Sequence, residues 1–284
     1  MNLTYIIGVV GTVIVMLLGI VLGINIGPAA RAANLPTFTF NLGNMWNFFD
    51  AASIFIVIGC AIFVVVASFP GSALKAVPKH FKVMLNVKKY NPMYYIDQLV
   101  ELAQTARKNG LLSLEERANE QQDPFFKQAI MLIVDANDPD KVRGILENDI
   151  ECMSARHDEA AAMYDKAGAV APAFGMVGTL VGLINMLKSM SLDGDGSSSL
   201  GDSMGTALIT TLYGGILAHM IFGPVAQLLR GRDSEEVLCK QIIVEGVMAI
   251  QAGENPKSLQ ERLLTYMAQK QRELGNEGGG GGGE

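Results

Sequence analysis

VAPAFGMVGTLVGL (170–183) and ALITTLYGGILAHMIFGPVA (207–226) decide the fold. Neither contains Asp, Glu, Lys or Arg, and each sits inside a longer uncharged window, 167–187 and 203–229. A helix needs about 20 apolar residues to cross the hydrocarbon core, so both read as transmembrane spans. Within the first, Gly168, Ala171, Gly175, Gly178 and Gly182 recur at intervals of three and four, with Asn185 and Ser189 continuing the series. In the second, Thr206, Thr210, Gly214 and Ala218 recur every four residues, with Thr211 beside them. Small residues let helices approach closely where lipid offers no hydrophobic drive to pack. The stripe predicts helix–helix packing for at least half its length; lining of an ion path is the alternative for the remainder. Pro172 and Pro224 each remove a helical hydrogen bond and invite a bend, either fixed or a hinge beside an ion path. His219 is expected to be satisfied by a neighbouring helix, with proton relay as the alternative.

Two further windows without Asp, Glu, Lys or Arg, 1–30 and 51–74, complete four spans. The first lacks the basic start of a signal peptide, and its apolar run is too long for one, so a retained span is expected. Half of the 284 residues are hydrophobic and only 18% charged, which points to a membrane protein with a sizeable polar part. Of the 22 Lys and Arg residues, only Arg31 and Lys188 fall in the segments 31–50 and 188–202, and Lys75, Lys79, Lys82, Lys88 and Lys89 crowd the exit of the second window. The positive-inside rule then puts both termini in the cytoplasm.

The polar part reads as helical. A helix from Met93 stops at Asn109-Gly110. Ser113-x-x-Glu116 reads as a capping box. Asp138-Pro139 starts a helix expected to run straight into the third span. The fourth span is expected to continue to about Gln251, and Asn255-Pro256 to begin a last helix reaching about Leu274. The fold class is therefore all-α: a polytopic membrane protein with four transmembrane helices, the third and fourth extending into a helical cytoplasmic domain. The expected organisation is a first span at 1–26, an outer connection at 27–49 and a second span at 50–70. A cytoplasmic helical domain follows at 71–165, the third span at 166–189, an outer loop at 190–202 and the fourth span at 203–229. Cytoplasmic helices at 230–274 and a disordered, glycine-dominated tail at 275–284 close the chain. The aromatic stretch LPTFTFNLGNMWNFF in the first connection suits the membrane interface.

Composition excludes several functions. A net charge of −6 argues against nucleic-acid binding. Cys60, Cys152 and Cys239 are far apart and odd in number, which predicts isolated buried thiols and no metal site. No nucleophile–base pair or phosphate loop appears, so no catalytic residue and no cofactor are expected. Ion pathways usually need an ionisable group inside the membrane, and none of the windows supplies an acid; Asp50 sits only at the edge of the second. If the chain conducts, the titrating carboxylate comes from another chain.

The two span motifs resemble the MotA/PomA family of flagellar stator subunits, distant relatives of ExbB and TolQ. The loop ARKNGLLSLEE (106–116), the opening DAASIFIVIG (50–59) and the stretch GVMAIQAGENPKSLQERL (246–263) are similar to the same family. The resemblance implies an inner-membrane homopentamer around a dimer of MotB, whose aspartate supplies the missing acid, with the rotor protein FliG as the target of torque. It places rotor-contacting charges on Arg107 and Glu115, with Glu116 a neighbour in the same role. It places ion-path threonines on Thr179, Thr210 and Thr211, and functional prolines on Pro172 and Pro224. The transported ion is H+ or Na+; the three hydroxyls resemble the sodium-driven pattern. The alternative is an ExbB/TolQ-type energiser of an envelope complex, which shares the third and fourth spans but is expected to have three spans.

Overall fold

The computed structural model describes residues 3–24, 38–40, 42–85, 90–192, 197–267 and 269. The Gly-rich tail and most of the first connection lie outside the described residues. In chain order, α1 is Leu3–Val21; a two-stranded antiparallel ribbon then pairs Leu22–Ile24 with Phe38–Phe40. A 3₁₀ turn, Leu42–Phe48, precedes α2. Helix α2 is built from Ala51–Ile54, a π-helical stretch Phe55–Gly59, and Cys60–Ser68. Then come α3 (Gly71–Leu85), α4 (Pro92–Asn109), α5 (Leu114–Glu120), α6 (Pro124–Val134) and α7 (Pro139–Leu192). Helix α8 joins Ser197–Ile216, a π-helical Leu217–Phe222 and Gly223–Gln251, and α9 is Pro256–Leu264.

The chain divides into two compact units: 1–87 with 159–229, and 88–158 with 230–284. Helices α7 and α8 contribute residues to both. In the first unit, α2, α7 and α8 are long and apolar enough to cross a membrane. The 19 residues of α1 span roughly 28 Å at 1.5 Å per residue, which completes four spans. Ile7, Val15, Phe55, Phe63, Leu180 and Leu208 are exposed on the isolated chain, as lipid-facing or subunit-facing side chains of a membrane protein should be.

In the second unit the helix starts are set by one repeated device. Asn91, Asp123, Asp138 and Asn255 each accept backbone N–H bonds from the first helical turn, and proline follows each of them. The side-chain oxygen satisfies orphan donors, and Pro fits where no donor is needed. Gly110 and Gly253 close α4 and α8 at positive φ, 83° and 73°, where a Cβ would be strained. Ile96, Leu99, Leu114, Phe126, Ile130, Ile133, Leu146, Ile242, Ile243, Leu259 and Leu263 are fully buried in a single core. Each such side chain contributes about 1.5–3 kcal/mol relative to exposure.

Three expectations need correction. Ser113 does not cap α5: it is itself helical, and its hydroxyl donates to Gly110 O at 2.7 Å. Helix α9 ends at Leu264 with a turn through Met267, and Gln269 is again helical; the rest of the stretch expected to reach Leu274 lies outside the described residues. The thiols are not all buried: Cys152 is exposed and Cys60 partly so. The short ribbon is strand structure that the sequence pattern did not suggest.

Candidate functional site

The small-residue stripe of α7 faces that of α8. A Cβ on Gly178 would lie 2.5 Å from Thr210 Cγ2, one on Gly182 would lie 2.8 Å from Ala207 Cβ, and one on Gly175 would lie 3.0 Å from Thr210 O. In the other direction, a Cβ on Gly214 would lie 2.8 Å from Ala171 O and 3.0 Å from Pro172 Cα. The glycines are therefore what permits this approach.

Thr210 is the fully buried hydroxyl of this seam, pressed between the glycines of α7. It donates to Ala207 O at 2.9 Å, with Thr206 O at 3.1 Å. Thr179 follows Gly178 and donates to Met176 O at 2.6 Å. Thr211 faces away from the seam, exposed, in a shallow depression lined by Leu208, Leu212, Gly215 and Met220. The three hydroxyls make no hydrogen bond to one another among the described residues. Each of the two back-bonded threonines has spent its proton on its own helix, so its remaining capacity is as an acceptor only. That is ordinary satisfaction of a hydroxyl in a span, and it also leaves lone pairs of the kind a hard cation takes.

The two prolines are accommodated differently. Helix α7 remains α-helical through Pro172. Ahead of Pro224, α8 widens into a π-helical turn in which Gly223 N donates to Ala218 O, five residues back. The second π-helical stretch, in α2, contributes Val57 to a small cluster with Ala61 and Ala171, against which Tyr213, Leu217 and Phe222 pack. Both π turns and Ala171-Pro172 thus meet at one level of the membrane unit. Single π turns inside helices recur at functional sites. His219 lies within the π turn, exposed and without a hydrogen-bond partner among the described residues; the expected neighbouring-helix partner is not seen.

Asp50 caps α2, accepting from Ser53 N at 3.0 Å and from the Ser53 hydroxyl. Tyr213 OH donates to Phe48 O at 2.5 Å, tying α8 to the start of α2.

In the second unit, Arg107 and Lys108 end α4, and Lys257 opens α9. Together with Val100, Gln104, Asn255, Pro256 and Gln260 they line a groove between these helices. None of the three cations meets a carboxylate among the described residues, whereas Arg117, Arg143 and Arg262 all do. Glu254, the nearest acid in sequence to Lys257, is held by Arg262 at 3.4 Å. Glu115 and Glu116 stand exposed in the first turn of α5, where negative charge complements the helix dipole. Arg117 on the same helix is engaged by Glu101 at 2.9 Å. Groove and acidic turn therefore carry uncompensated charge of opposite sign.

Comparison with known proteins places this arrangement. The MotA/TolQ/ExbB proton channel family matches residues 117–242. Motility protein A of Borreliella burgdorferi is 37% identical over 266 residues, covering 94% of this chain and all of that one. Chemotaxis protein PomA of Vibrio alginolyticus is 40% identical over 82% of this chain and 89% of its own length. The structure of C. jejuni MotAB superposes with a TM-score of 0.80 at 27% identity, over 95% of this chain and 97% of that one.

The chain belongs to the MotA family of flagellar stator subunits.

It is a multi-pass component of a membrane ion channel and not an enzyme. Similarity to the motility proteins runs along nearly the whole chain, whereas ExbB and TolQ enter only through the shared central region. Three features of this MotA-type chain were not anticipated from its sequence. Lys257 joins Arg107 across the groove, and only the meeting of α4 with α9 could reveal that. The π turns carry no sequence signal beyond the proline that follows one of them. Ser53 is a fully buried hydroxyl, recognisable in retrospect as N3 of an Asp-capped helix.

Proposed function

We propose that this MotA-type subunit couples the passage of H+ or Na+, through a complex with a MotB-type partner, to torque on a FliG-type rotor protein. Five copies surround a dimer of the partner, and both termini face the cytoplasm. The observation that carries the reading is the chemistry of the membrane unit. Its helices bring threonine hydroxyls and backbone carbonyls to a tightly packed seam, yet the only acid is Asp50, at the very edge of the second span. A cation crossing at this level needs a countercharge, and the partner's aspartate supplies it. The flagellar MotAB stator complex from Bacillus subtilis has this fold, with a TM-score of 0.74, which supports the pairing.

Thr179, Thr210 and Thr211 border the ion path, and Pro172 and Pro224 sit where the helices adjust as it is loaded. Arg107, Glu115 and Glu116 engage the rotor. Their exposure, and their lack of a charged partner among the described residues, suit contacts that form and break quickly through charge steering. Each elementary charge crossing the membrane releases about 2.3 kcal/mol per 100 mV, on the scale of a few surface ion pairs, so stepwise engagement is energetically feasible.

Swimming speed in a host lacking its own stator tests the reading. With this chain and its partner expressed, removal of sodium or addition of a protonophore should stop swimming. Arg107→Glu should abolish it while leaving membrane assembly intact. Swimming insensitive to both treatments would contradict the ion coupling, and full torque with Arg107→Glu would remove the rotor role.

A further inference from the structure

Helix α3 has no task in the ion path or the rotor contact. It begins at Gly71, directly after α2 ends at Ser68, so it starts where the chain leaves the bilayer. Its two faces are chemically opposite. Leu74 and Val77 pack on a cluster of Met163, Tyr164, Val225, Ala226 and Leu229, and His80 Nδ1 lies 3.2 Å from Tyr164 OH. Lys75, Lys79 and Lys82 all point away from that contact and are exposed. At 3.6 residues per turn the three lie within about 60° of one another on the helix surface.

Nothing among the described residues neutralises them. No Asp or Glu occurs from Ala51 to Ile96, and none of the three lysines has an ion pair among the described residues. A docked amphipathic helix with an unpaired lysine row at the end of a span matches the chemistry of a surface that attracts acidic phospholipid.

We propose that α3 is an interfacial helix whose Lys75–Lys79–Lys82 face binds the headgroups of anionic phospholipids on the cytoplasmic side. The apolar face is held by α7 and α8, so the lysine row is presented laterally, pre-ordered, and pays little additional entropy on binding. Its occupant is the phosphate of a membrane lipid, because α3 packs on Tyr164 and Leu229, which stand at the ends of the uncharged windows of α7 and α8. The stems can run along the interface while the ammonium groups reach the phosphates.

The full-length chain, co-expressed with its membrane partner and stripped of lipid in mild detergent, can be titrated with phosphatidylglycerol or phosphatidylcholine and read by native mass spectrometry. The expected result is preferential retention of phosphatidylglycerol. This preference should fall about fivefold for each single Lys→Gln change and on the order of a hundredfold for the triple variant. Lys→Arg at all three positions should keep it. Lys127→Gln with Lys141→Gln, in the other unit, should leave it unchanged. Since the single variants and the arginine set report as well, misfolding of the triple glutamine variant does not decide the test. Equal retention of both lipids by the unaltered chain, or an unchanged preference in the glutamine variants, overturns the proposal. So does a variant that loses subunit association while keeping its lipids, because the lysines would then face a neighbouring subunit.

Discussion

Gly214 offers the sharpest test of how the membrane unit is held. A methyl at this position would meet Ala171 O at 2.8 Å, Pro172 Cα at 3.0 Å and Ala171 C at 3.3 Å, all backbone. Carbon contacts settle at about 3.5–4.0 Å, so α7 and α8 would have to separate by roughly 0.5–1 Å around Pro172. Overpacking of this kind costs about 1–3 kcal/mol, against which alanine returns up to about 1 kcal/mol of helix propensity. Gly215, the next residue, has no atom within 4 Å of a built Cβ, so Gly215→Ala keeps the propensity gain alone. The two variants should differ by about 1–3 kcal/mol, or roughly 2–12 °C in unfolding temperature for a chain of this size. Thermal unfolding of the purified complex in detergent at one scan rate measures the difference, and swimming should suffer in the same order. A Gly214→Ala complex melting at or above Gly215→Ala would refute the backbone-to-backbone seam.

Burial, with nearby Glu235, Asp123 and Glu236, pushes the Cys239 thiol up to about 12. Alkylation at pH 8 should therefore reach exposed Cys152 on the order of a thousandfold faster than Cys239, which peptide mapping would read. The unfolded thiol loses its proton first, so the contribution of Cys239 to stability should be intact below pH ~9 and decline above it as pH rises toward ~12, seen as a falling denaturant midpoint. A Cβ on Gly246 would lie 2.4 Å from Leu99 Cδ1; Gly246→Ala should destabilise the second unit by about 1–3 kcal/mol, measurable by chemical denaturation. Lys257→Glu should weaken torque in the same direction as Arg107→Glu, and unchanged torque would confine the rotor contact to α4 and α5.

Much of this was legible before any coordinates. The four spans follow from absent charge, and the α7–α8 interface from glycines at intervals of three and four, because lipid leaves close approach as the main means of helix association. Helix starts were readable at Asp138 and Asn255, and the same Asn/Asp-Pro pair at Asn91 and Asp123 marks two more. Other features resisted reading for physical reasons. Spacing shows that Thr210 and Thr211 are neighbours but not which one turns into the seam, since 100° of helix rotation separates buried from exposed. The groove joining Arg107 to Lys257 unites residues 150 positions apart in sequence. Ser113 and Glu116 satisfy the capping-box pattern, but Gly110 already provides the turn, and the serine hydroxyl bonds back to it.

Ion flux into liposomes tests the central claim most directly. The chain reconstituted alone should carry no H+ or Na+ current above that of empty vesicles. Reconstitution with its MotB-type partner should restore flux, and replacing the partner's membrane aspartate by Asn should abolish it. A specific current through this chain by itself would contradict the account, because its spans would then hold a complete pathway with no acid beyond Asp50 at the edge of α2.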